Sequence, residues 1–181
     1  LTNIEIPEGV TSIEVGIFKD CSSLSRIKFP QTITSIGDYA FQSCSNLTNI
    51  DIPENVTSIG YNAFYGCKNL MSIIIPEGVT MIKDNTFWGC RSLASVTIPK
   101  GVSSIGTSVF NECRSLTSIV IPKGVTTIKN HTFFNCSNLT SITLSENVTN
   151  IENQVFTGCS KLTDIIYNGT EEQFKAIKIG L

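Results

Sequence analysis

The chain has 181 residues, of which 15% are charged and one is histidine, and its net charge is −2. That balance excludes a basic nucleic-acid-binding surface, and no apolar run is long enough to cross a bilayer as a helix. Seven cysteines in a chain that is 41% hydrophobic raise disulfides and a buried thiol column as competing readings.

A 23-residue period organises the chain. Leucine stands at 1, 24, 47, 70, 93, 116, 139 and 162, phenylalanine at 18, 41, 64, 87, 110, 133 and 156, and cysteine at 21, 44, 67, 90, 113, 136 and 159. Seven whole units fill residues 1–161 without insertion, and a partial eighth fills 162–181. In the third unit Leu47, Ile50 and Ile52 have the spacing of a strand, with Asp51 pointing the other way. Pro53 has no N–H to donate and ends it. Glu54-Asn55, replaced by Glu-Gly or Lys-Gly in other units, reads as a tight turn that tolerates positive φ. Val56 and Ile59 make a second, shorter extended piece, and Ala63, Phe64 and Cys67 lie in a return loop rich in Gly, Asn and Ser. Each unit is one coil that cannot bury its apolar side alone, so the coils stack into a solenoid. Eight coils at strand spacing make a rod on the order of 35–40 Å long.

The pattern LxxIxIPxxVTxIGxxAFxxC, repeated in register over the whole chain, resembles the BspA-type, or Treponema-type, leucine-rich repeat. The resemblance implies a leucine-rich-repeat solenoid with a parallel sheet on the concave side and short strands on the convex side. It also implies a secreted or cell-surface protein associated with adhesion and with protein or glycan partners on host or neighbouring cells. A monomer without cofactor or metal is expected.

The chain starts at the first residue of a repeat with no polar cap, as expected of a fragment whose N-terminus lies upstream. At the other end Thr170-Glu171-Glu172-Gln173 has the form of a capping box. Phe174 and Ile177 then fall on one face, and Gly180 is a stop. A helix over 171–178 covering the open end of the solenoid is expected.

Cysteines equivalent by repeat would sit close enough for disulfides, but their side chains run parallel into the core and their number is odd, which favours a column of buried thiols. Such a column spreads potential metal ligands along a line instead of converging them. His131 shares a loop column with Gly16, Tyr39, Asn62, Asn85, Ser108 and Gln154, and a position so variable reads as surface. No nucleophilic triad or carboxylate pair is legible, so a non-catalytic protein is expected. The sequons at Asn46, Asn55, Asn138 and Asn147 read as by-products of the repeat.

Two sets of variable positions are candidates for binding. The column after the core phenylalanine reads Lys19, Gln42, Tyr65, Trp88, Asn111, Phe134 and Thr157. Its Tyr65 and Trp88 are neighbours, with Tyr61 and Arg91 nearby. They form either a satellite cluster over the loop or a patch for a partner. The outward residues of the concave strands run from a charged Glu5–Lys28–Asp51 ladder to a small, hydroxylated face around Ser95, Thr97, Ser118 and Val120. That face reflects either strand propensity or a docking surface. The function so read is a binding module, with a structural spacer positioning another domain as the alternative.

Overall fold

A computed structural model describes residues 2–180; Leu1 of the leucine column and Leu181 lie outside the described residues. The chain winds as a parallel β-solenoid. One face carries the strands Asn3–Glu5, Arg26–Lys28, Ser72–Ile74, Ser95–Thr97, Ser118–Val120, Ser141–Leu144 and Asp164–Tyr167. The opposite, convex face carries two-residue strands from Ser12–Ile13 to Asn150–Ile151, one per coil, and then Lys178–Ile179. Every strand pair is parallel and, apart from the last convex one, joins residues one period apart, for example Ser72 with Ser95 and Ile73 with Val96; Asn150 and Ile151 pair with Lys178 and Ile179.

The core is a set of columns along the rod. Leu24, Leu47, Leu70, Leu93, Leu116 and Leu139 are fully buried, as are Phe41, Phe64, Phe87, Phe110 and Phe133. Successive phenylalanine rings stack with centroids 5.4–5.9 Å apart. Repetition places the same side chain at the same height in each coil, so flat rings meet face to face with a lateral offset allowed. The thiols stack beside them and remain free. Each Sγ from Cys44 to Cys159 donates to the carbonyl of the phenylalanine in the preceding coil, at 3.0–3.3 Å. Cysteine suits this place because it is small and apolar yet carries a weak donor.

The return loop holds the most regular backbone ladder. Gly16, Phe18 and Asp20 donate to the carbonyls of Asp38, Ala40 and Gln42, and the equivalent three bonds recur at each of six steps, 2.7–3.3 Å long. Two left-handed residues per coil make this possible. The first lies in the His131 column, where Tyr39, Asn62, Asn85, Ser108, His131 and Gln154 all have φ of 55–58°. The second lies four residues on, at Asp20, Ser43, Gly66, Gly89, Glu112, Asn135 and Gly158. Left-handed backbone favours Gly and Asn, which explains the loop composition. His131 is half-buried, so its variability reflects what the left-handed geometry accepts and not free exposure.

The strand faces are less continuous. Among the described residues no concave pairing crosses from coil 2 to 3, 3 to 4 or 5 to 6, and no convex pairing crosses from 3 to 4 or 5 to 6. Convex pairing requires close approach at one residue. A Cβ on Gly60 would stand 2.4 Å from the Asp38 nitrogen, and one on Gly106 would stand 2.6 Å from the Asp84 nitrogen. Gly37, Gly60 and Gly106 each donate to the coil before them, at 2.7–2.9 Å. Coils 4 and 6 carry Lys83 and Lys129 at that position instead, each stacked on a glycine coil, and these are the steps where both faces open. Glu152, stacked on Lys129, keeps its bond. The lysine coils also carry the two buried threonines of the loop. Thr86 and Thr132 donate to the Lys83 and Lys129 carbonyls at 2.7 Å, and their hydroxyls lie 3.4 and 3.5 Å from the Gly60 and Gly106 carbonyls across the seam.

Three sequence expectations need correction. The turn after each proline does not use positive φ at Asn55, Gly78, Gly101 or Gly124; among the described turns only Gly9 does. Crowding accounts for glycine at two of them, since a Cβ on Gly124 would lie 2.7 Å from the Val102 carbonyl and one on Gly78 3.0 Å from the Thr57 side chain, whereas one on Gly101 would meet nothing nearer than 3.7 Å. Asn55 and Asn147 instead donate from their side chains to the preceding coil, at 2.8 Å. The charged ladder stops at its first rung. Lys28 pairs with Glu5, but Asp51 forms no ion pair among the described residues, because Asn49–Asp51 is not drawn into the sheet. The C-terminal helix is short, Glu171–Lys175, with the Thr170–Gln173 capping box in place and no buried residue. Lys178 and Gly180 donate to Thr149 and Ile151, so residues beyond 177 continue the convex sheet. Ile177 is buried, whereas Phe174 packs on Tyr167 and stays 45% exposed, as does Ile165 on the last concave strand.

Candidate functional site

Tyr65 and Trp88 are brought together as neighbours in one column. Their rings stack with centroids 4.4 Å apart and 12° between planes, closer than the core phenylalanines. Both are half-buried. Burial, and secondarily the Glu112 carboxylate, pushes the Tyr65 phenol above its ordinary value, so it stays protonated and able to donate. Beside the pair is an open hollow of about 440 Å³ that runs across coils 1 to 4.

Arg91 joins this wall. Its guanidinium donates to the Glu112 carboxylate at 3.0 Å, and Arg114 reaches the same oxygen at 3.2 Å. Tyr61 does not join. It lies outside the hollow's lining, and its ring sits 5.0 Å from the Lys83 ammonium, as Tyr39 sits 5.7 Å from Lys19.

Sequence reasoning missed Asp20, Ser43, Lys68 and the glycines 66 and 89, which line the same hollow. The signal was present in two columns. One reads Asp20, Ser43, Gly66, Gly89, Glu112, Asn135, Gly158, and the other reads Ser22, Ser45, Lys68, Arg91, Arg114, Ser137, Ser160. In the second column the departures from serine fall in the coils that supply Tyr65 and Trp88 and in the next one; the first column varies throughout and has glycine again at Gly158.

The concave residues Ser95, Thr97, Ser118 and Val120 also come together, around a hollow of about 420 Å³ at the open step between coils 5 and 6. Val120 is 65% exposed there. Ile98 on its wall is only half-buried, like Ile52 before the other open step. Among the described residues no group of three His, Cys, Asp or Glu side chains is placed to hold a metal ion, and no helix is long and apolar enough to cross a membrane.

The model of the BspA type leucine rich repeat region matches the chain in six copies, over residues 1–113 and 80–178. No curated protein matches it. Among solved structures, a leucine rich cell surface protein of Faecalibacterium prausnitzii is 32% identical over 98% of this chain, with a TM-score of 0.53. The present chain spans 62% of that protein's chain. A leucine rich repeat protein of Treponema pallidum is 27% identical, with a TM-score of 0.61, over 92% of this chain and 72% of its own. The pneumococcal vaccine antigen PcpA, 18% identical over 96% of this chain and 58% of its own, with a TM-score of 0.51, shares the fold alone.

Proposed function

The chain belongs to the BspA-type leucine-rich-repeat family, and we propose that it is a non-catalytic binding module of a secreted or cell-surface protein. Its role is adhesion to, or recognition of, a protein or glycan on host or neighbouring cells. The observation that carries this reading is the convergence of departures from the repeat. The basic column is serine in coils 1, 2, 6 and 7 and becomes Lys68 and Arg91 in the coils that supply Tyr65 and Trp88, and these four side chains meet at one hollow with Gly66 and Gly89. Rigid aromatics beside an arginine are the residue types that anchor partners. The described relative from Faecalibacterium is a cell surface protein, which supports the location.

The concave face is a second candidate, favoured by the hollow at Ser95, Thr97, Ser118 and Val120 and by the usual use of solenoid concavities. An array of glycans and matrix proteins, probed with four forms of the protein, separates the two. The pair Tyr65→Ala and Trp88→Ala is expected to weaken binding by roughly tenfold or more. The pair Lys19→Ala and Thr157→Ala at the rod ends leaves it unchanged. If Thr97→Arg abolishes binding and the aromatic pair does not, the concave sheet is the site. If no ligand is found on a broad array, the spacer role takes its place.

A further inference from the structure

We propose that the hollow beside Tyr65 and Trp88 takes an anionic glycan, a saccharide bearing sulfate or carboxylate groups; this rests on the binding-module reading above. The first argument concerns space. Gly66 and Gly89 have φ of 70° and 71°, but Asp20, Ser43, Glu112 and Asn135 hold the equivalent position at 58–60° with their side chains in place. The backbone therefore does not demand glycine at these two coils. Nor does crowding: a Cβ on Gly89 would meet nothing nearer than the Gly66 Cα at 3.8 Å, and one on Gly66 nothing nearer than the Ser43 Oγ at 3.7 Å. Glycine suits this left-handed position, as at Gly158 with φ of 81°, but only at coils 3 and 4 do two consecutive missing side chains leave a cradle beside aromatic rings. Its volume of about 440 Å³ falls within the range of small-molecule sites.

The second argument concerns charge. In the column of Lys68, Arg91 and Arg114, the coils on either side carry serine. Glu112 is shared by both arginines, which are about half exposed, and Lys68 forms no ion pair among the described residues. The hollow's own lining carries Lys68 and Arg91 against the one carboxylate of Asp20 at its far end, with Arg114 and Glu112 just beyond, so this end is positive in a chain whose net charge is −2. Sulfate and carboxylate accept from such donors in charge-assisted hydrogen bonds. At the other end Asp20 and Ser43 line the hollow and present acceptors and donors to sugar hydroxyls. An acidic peptide would satisfy the same cations, and polyglutamate is the arm of the test that separates it.

Isothermal titration of the full chain with four polymers tests the assignment: heparin, polygalacturonate, neutral dextran and polyglutamate. Binding of heparin, alone or with polygalacturonate, and none of dextran is expected; the pair distinguishes sulfate from carboxylate recognition. Lys68→Ser with Arg91→Ser, and separately Gly66→Ser with Gly89→Ser, should each raise Kd by roughly tenfold or more. Serine already occupies both columns in other coils, so folding is retained, as a thermal melt will show. Thr97→Arg on the concave face should change nothing. Binding of polyglutamate alone, or of heparin with unchanged Kd in both double variants, overturns the proposal. So does a protein ligand from the array that needs Tyr65 and Trp88 while no polysaccharide binds; that result leaves the binding-module reading intact. Failure to bind anything overturns both.

Discussion

The return loop and the two strand faces are built from the same coils, yet they are held differently. The loop carries three backbone hydrogen bonds at every one of six steps, backed by the thiol donors on Cys44 to Cys159. The strand faces both open between coils 3 and 4 and between coils 5 and 6. A sheet tolerates one unpaired step when a parallel ladder across the coil holds register. The loop is therefore the spine of this molecule, and the sheets, which look like its defining feature, are the parts free to vary.

The largest expected effect comes from attacking the spine through its thiols. Burial pushes Cys44 to about 12 and Cys159 to about 11, and Cys67 and Cys113 well above the ordinary 9.0. The folded thiols thus keep protons that the unfolded chain gives up. Stability from this source is complete below about pH 8.5–9 and is lost as pH rises toward the folded values. Each fully buried thiol contributes about 1.4 kcal/mol per pH unit in that window, so several together rival the whole stability of a domain. Melting temperature measured from pH 8 to pH 11 should fall steeply; a flat profile would contradict the thiol ladder. At neutral pH the thiols should react with a thiol reagent only on unfolding, with the half-buried Cys21 and Cys159 first.

The next effect sharpens the comparison at the core. Phe87→Ala removes a fully buried ring from the middle of the stack and should cost about 3–5 kcal/mol in denaturant titration. Thr107→Ala, at a half-buried side chain on the loop edge, should stay within about 0.5 kcal/mol. Equal effects would undo the column assignment. Gly106→Ala tests the strand faces. Its Cβ would collide with the Asp84 nitrogen and should open the coil 4–5 step as Lys83 opens the one before it, at a cost of about 1–3 kcal/mol. The smallest effect needs no mutation. Amides of Asn49, Ile50 and Asp51 should exchange with deuterium faster than those of Phe64 and Gly66, which sit in the loop ladder. The reverse order would make the sheet, not the loop, the spine.

The solenoid, its register and its core columns were legible because stacking turns sequence period directly into spatial neighbours. Leu47, Val56, Ile59, Ala63, Phe64 and Cys67 were all read inward and are all buried. Ile52 was read the same way and is only half-buried, because it borders the open step to coil 4. That step was not legible, since it depends on a contact between Lys83 and a different coil. The site was half legible. Aromatic side chains announce themselves, so Tyr65, Trp88 and Arg91 were found. Gly66 and Gly89 contribute by what they lack, and a missing side chain carries meaning only once its neighbours are placed. Tyr61 was drawn to the pair by nearness in sequence, but its ring sits over Lys83, outside the hollow's lining.

The lysine coils have one more implication. Lys83 with Thr86 and Lys129 with Thr132 recur as a linked pair three residues apart, so coils 4 and 6 are one kind and coils 2, 3 and 5 another. Both faces open where a lysine coil is stacked on a glycine coil, so these double openings follow from which kind follows which; the concave opening between coils 2 and 3 is separate. Exchange of whole 23-residue segments by recombination would then relocate the open steps while leaving the leucine and phenylalanine columns untouched. Shape would become a matter of the order of coils, heritable by duplication and reshuffling without a single new point mutation in the core.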